Sequence, residues 1–252
     1  MTDRTTPSAS GAITTTGATP GLAAATTTLD APTAGQRPGA VPAVPARRAR
    51  VIAVIAWVMA AIGTVGGQLH ALSRVAAHPE DLESPLVAAW APPAIDALQP
   101  LLDWGDPTLV YWTYGKIWLP VGLAFLAAAI LAYRARGPVG GERMLWRVQL
   151  AAYGLLVLAL AGDYYTPWTD SFFLVGLVAF AVIGLGGIPL GIVLLRRGFR
   201  PRTTAWLLIA MLPFFFVITE VTSMGSAMLP LMWGWALAAE SVARRAVAPS
   251  VV

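Results

Sequence analysis

The chain has no cysteine. That excludes disulfides, thiolate metal sites, cysteine nucleophiles and cysteine-anchored lipids. Lysine occurs once, as Lys116, and histidine twice, as His70 and His78. Only 12% of the residues are charged, whereas a soluble domain carries about 25%. Catalytic signatures are missing too: there is no G-x-S-x-G, no H-E-x-x-H, no phosphate-binding glycine loop and no pair of acids spaced along one helix. The expectation is therefore a non-enzyme without a cofactor or metal. Haem would need a second axial histidine in register with His70. The only other, His78, lies among Glu80, Asp81 and Glu83 in what reads as a solvated acidic loop.

What the chain has in excess is apolar surface: 57% hydrophobic residues, mean hydropathy +0.66, ten Trp and six Tyr. The stretch 111–136, YWTYGKIWLPVGLAFLAAAILAYRAR, gives the plan. Rings come first, then an apolar run, then Arg134 and Arg136, the order of a membrane span from one interface to the other. The formal charge of +4 does not mark a nucleic-acid partner, because the arginines sit at the ends of such runs.

Taken in order, residues 1–46 are Thr, Ala, Pro and Gly with little that is large and apolar, a composition that predicts a disordered tail. No short apolar core with a small-residue cleavage site lies near Met1, so the tail does not read as a secretory signal. Residues 47–245 read as an all-α transmembrane bundle of about six helices, at 51–72, 111–133, 145–162, 171–195, 203–221 and 226–241, followed by a short tail, 246–252. The loop 73–106 carries Glu80, Asp81, Glu83, Asp96, Asp103 and Asp106. Apolar residues recur through it, and Pro92, Pro93 and Pro100 predict two short amphipathic pieces on the outer surface. Arginines cluster at 47–50, 134–147, 196–202 and 244–245, while Arg74 and Lys116 are the only cations assigned outside. That asymmetry predicts a multi-pass protein of the cell membrane with both termini cytoplasmic. The last span is the shortest and is interrupted by Pro230.

Small residues in the first span, including Gly63 and Gly67, form a stripe that admits a neighbouring helix closely. Gly187 and Gly191 of the fourth span are its expected partner. A span takes about 20 residues. Counting that distance from Arg50, Arg134, Arg147 and Arg202 places His70, Lys116, Asp163 and Glu220 in one layer near the outer interface. They read either as a polar pocket, with Lys116 paired to Glu220 in preference to Asp163, or as a snorkelling lysine with structural acids. Gln68, Tyr164, Tyr165, Thr219 and Ser223 would line either arrangement. The expected role is an accessory, scaffold or sensor protein of the lipid bilayer that meets a membrane or extracytoplasmic protein partner through its acidic outer loop. The alternative is a small-solute or proton-coupled transporter using the outer polar layer. Prolines within the expected spans (Pro120, Pro189, Pro213 and Pro230) suit a transporter, although no inverted repeat accompanies them.

Overall fold

A computed structural model describes residues 44–247. The expected disordered tail falls almost wholly outside them, as does the end of the C-terminal tail. The described chain is helical, and no strand occurs among the described residues.

Helix α1 (Ala46–Ala77) begins after Pro45 and stops before the pair His78–Pro79, because the residue ahead of a proline is pushed out of the helical region. Its buried face is a seam of Ala49, Ala53, Ala56, Ala60, Gly63, Gly67 and Ala71. Its outward face carries Val51, Val54, Ile55, Val58, Ile62 and Val65, all exposed. Small residues inside and large aliphatic ones outside reverse the pattern of a water-soluble helix. In lipid the outward face has no drive to hide, and close backbone approach holds the helix instead.

After α1 a 3₁₀ turn (Pro79–Glu83) leads to α2 (Pro85–Ala97) and the single turn α3 (Gln99–Leu102). The loop thus forms two helical pieces as expected, but Pro92 and Pro93 lie inside α2 and the break comes at Leu98. These prolines and the Ala88 and Ala89 one turn before them are all exposed, so the carbonyls that lose a donor are free to be solvated. Together the three pieces form a cap. It is tied down where the Trp90 indole donates to the Val221 carbonyl at 2.7 Å.

Helix α4 (Pro107–Gly115) starts at Asp106, whose side chain accepts from the Thr108 amide at 2.9 Å. A two-residue step at Lys116 and Ile117 joins it to α5 (Trp118–Arg136), which ends on Gly137 in the left-handed conformation. Helices α6 (Gly140–Tyr165) and α7 (Thr169–Arg196) form the most extensive helix pair. The fifth expected span is broken into α8 (Arg202–Ile209) and α9 (Met211–Val221), bent by 67° at Ala210. Helix α10 (Leu229–Val247) packs against α1, α5 and α8.

Among the described residues four units are long and apolar enough to cross a membrane: α1, α4 with α5, α6, and α7. The bent pair α8–α9 makes a fifth if it is one span. The sixth expected span does not join them. Helix α10 is buried in the bundle along Leu231, Met232, Trp235, Ala236 and Ala239, and its last turns carry Glu240, Arg244 and Arg245.

The glycine pairing also differs from expectation. A methyl group at Gly63 would meet Met232 and Val121, and one at Gly67 would meet Trp118. At Gly187 and Gly191 it would sit 2.7 Å and 2.6 Å from the carbonyl oxygens of Leu208 and Ala205. Both pairs therefore mark close approaches, but α1 closes on α5 and α10, and α7 closes on α8. Spacing shows that a face is small without showing which neighbour uses it.

Candidate functional site

Among the described residues no ion pair or side-chain hydrogen bond joins the four residues expected to form one polar pocket. Lys116 and Glu220 are exposed, Asp163 is half-buried, and His70 is buried. Among the described residues none of Lys116, Asp163 and Glu220 makes an ion pair. Lys116 sits in the step between α4 and α5, with its ammonium 6.0 Å from the centre of the Tyr165 ring. Its carbonyl accepts from the Tyr165 hydroxyl at 3.1 Å. Glu220 lies at the end of α9, on the far side of the break at Ala210. A count of depth along each helix carries no information about azimuth and assumes an unbroken axis, which the bend at Ala210 removes for Glu220.

His70 is the residue around which this end of the bundle is built. Its Nδ1 accepts from the Trp118 indole N–H at 3.3 Å, and its Nε2 lies 3.2 Å from the Tyr164 hydroxyl. The Tyr111 ring stacks on the imidazole at a centroid distance of 4.8 Å, with Trp118 and Tyr164 edge-on. An indole nitrogen can only donate, so Nδ1 carries no proton, and the neutral tautomer with its proton on Nε2 donates to Tyr164. Three glycines make the room. A methyl group at Gly67 or Gly225 would fall within 3 Å of the Trp118 ring, and one at Gly115 would overlap Tyr164.

Beside this box lies a cavity of about 60 Å³ lined by Trp118, Phe125, Leu156, Phe180, Asp163 and Tyr164, and by Met224, Met228 and Met232. The methionines recur every four residues and present flexible thioethers, side chains that fill irregular gaps and repack around small guests. Of the lining, Asp163 alone is a carboxylate.

Two further polar clusters lie deeper. Buried Gln149 donates to the Tyr153 hydroxyl at 3.0 Å and to the Ile183 carbonyl at 3.2 Å, while the Trp235 indole donates to the same hydroxyl at 3.2 Å. The Gln149 Oε1 and the nearby Trp146 Nε1 have no partner among the described residues. At the arginine-rich end, buried Glu142 is clasped by Arg136 at 2.8 Å and Arg197 at 3.0 Å.

Among the described residues no three of His, Asp and Glu gather as metal ligands. His78 pairs with Glu80 at 3.1 Å and Arg74 with Asp81 at 3.0 Å, so the acidic loop satisfies part of its own charge. Sequence reasoning named His70 and Tyr164 but missed Trp118, Gly115, Gly225 and the methionine row. The rings at 111–118 read as an interface belt, and nothing in their spacing says that Tyr111 and Trp118 turn inward, with Tyr164, onto one imidazole. No family model, curated protein or solved structure matches the chain.

Proposed function

We propose that the chain is a non-enzymatic accessory or sensor protein of the cell membrane, crossing it six times with both termini in the cytoplasm. The cap built from residues 79–102 is its receiving surface. One observation carries this reading: a single ring links His70 to the residue that leads into the cap. Tyr111 stacks on His70 and also meets His78, at the root of the cap, at 5.8 Å. Trp118 and Tyr164 join the same imidazole to α5 and α6. A displacement of the cap is therefore felt by three helices through one side chain whose two ring nitrogens are both engaged. The outer faces of the cap leave Leu86 and Leu101 exposed for a partner or for the headgroup layer.

A second reading, a small-solute or proton-coupled transporter, draws on the bent pair α8–α9 and on the cavity beside Asp163. The two separate in one experiment. The wild-type protein and a cap variant, Leu86→Glu with Leu101→Glu, are purified from the native membrane, and the molecules retained by each are identified. A companion held by the wild type and lost by the variant at unchanged thermal stability supports the sensor or accessory role. Identical companions in both preparations, with a substrate-dependent flux in vesicles that Asp163→Asn abolishes, would replace it with the transporter.

A further inference from the structure

The arginine-rich end of the bundle contains a pocket of about 280 Å³, much larger than the cavity beside His70. Three arginines line it, Arg136 on α5, Arg200 in the α7–α8 turn and Arg245 on α10. Its apolar part comes from Val44, Ala132, Phe199 and Val242, and among the described residues no acid lines it.

Two of the arginines are held in place by bonds that leave one end of each fork open. Arg136 uses Nε on Glu142 and Nη2 on the Arg197 carbonyl at 3.2 Å. Arg245 uses Nε on the Ser241 carbonyl at 3.2 Å, and Nη2 on the Arg200 carbonyl at 3.0 Å and the Ser241 hydroxyl at 2.8 Å. Neither Nη1 has a partner among the described residues, and the Arg200 side chain makes no hydrogen bond there. Glu142, outside the lining, offsets one positive charge and is already shared between Arg136 and Arg197. The pocket therefore presents fixed, uncompensated donors over an apolar wall.

A fork of guanidinium donors matches the paired oxygens of a phosphate, and the strength comes from charge-assisted hydrogen bonds. Basic pockets between helices at a membrane surface take phosphate headgroups for the same reason. We propose that this pocket binds a phosphate-bearing anion, supplied by the headgroup of an anionic phospholipid in the adjoining leaflet. The guanidinium groups hold the phosphate while Val44, Phe199 and Val242 line the path of the glycerol and the first acyl carbons. The proposal needs the bundle to lie in a membrane, but not any role for the cap or for His70.

The test uses the full chain, delipidated in neutral detergent, with thermal stability as the readout. Short-chain phosphatidylglycerol should raise the melting temperature in a saturable way and short-chain phosphatidylcholine should not. Arg200→Gln with Arg245→Gln should weaken that response roughly tenfold. Arg200→Gln alone should weaken it in part, and that side chain makes no bond whose loss would unfold the protein. Arg47→Gln with Arg48→Gln removes the same charge outside the pocket and should leave the response intact. Inorganic phosphate, against chloride at equal ionic strength, separates the sources. If it stabilises the wild type as well as the lipid does, and the pocket variant loses both effects, the anion is free phosphate. A phosphatidylglycerol response unchanged in the pocket variants, or equally reduced in the Arg47 and Arg48 variant, would overturn the proposal.

Discussion

The acceptor on His70 Nδ1 has one donor, and that donor is an indole. Trp118→Phe keeps the ring and removes the N–H, which leaves a buried acceptor unpaired at a cost of about 1–3 kcal/mol. His70→Phe removes the other partner. The two changes together should cost less than their sum, with a coupling of about 0.5–3 kcal/mol in a double-mutant cycle read by thermal denaturation. Additive losses would mean that the box is packing alone. The opposite outcome is expected for Lys116→Met with Glu220→Gln. Neither group has an ionic partner among the described residues, so their effects should add to within about 0.5 kcal/mol. These two cycles mark what was legible at this scale. His70 was readable as an inward residue because Gly63 and Gly67 precede it on one face. That Lys116 and Glu220 do not pair was not readable, because the position of Glu220 depends on the turn at Ala210, where the helix leaves its own axis.

Among the elements, the two glycine pairs make a graded series. Gly187 lies against the Leu208 carbonyl of α8, and backbone cannot swing aside, whereas Gly63 faces the tip of Met232. Gly187→Ala should destabilise the protein by about 1–3 kcal/mol and Gly63→Ala by less, since a methionine end repacks. Combined, the losses should simply add, because α7 and α1 close on different helices. Coupling between them in detergent would restore the direct contact that the sequence suggested. The cap is held more lightly. Trp90→Phe deletes its bond to Val221 and should speed amide exchange across Pro85–Ala97 while leaving α5 and α6 protected. Unchanged exchange in α2 would show that apolar contacts alone seat the cap. Helices long and apolar enough to cross a membrane were legible from the apolar runs between arginine clusters. The bend between α8 and α9 was not, since Pro213 at that point is also an ordinary residue in an unbroken membrane helix.

At the scale of the molecule, the arginine clusters converge at one end. Arg136, Arg197, Arg200 and Arg245 gather around Glu142 and the pocket beside it. Reporters fused after Arg202 and at the C-terminus should therefore read the same side of the membrane, and one inserted near Glu83 the opposite side. A C-terminal reporter on the Glu83 side would mean that α10 does not cross. Helix α1 carries a wider consequence. Its seam of alanine and glycine fits its neighbours by shape, while its valines and isoleucines only match the solvent around them. The instructions for assembly and those for the medium are thus written on separate faces of one helix. Exchanging Val51, Val54, Val58 and Val65 for glutamate, lysine and glutamine would rewrite the second without editing the first. The same holds for any helix of the bundle whose seam is small, so a water-soluble counterpart with this interior is within reach of surface substitution alone.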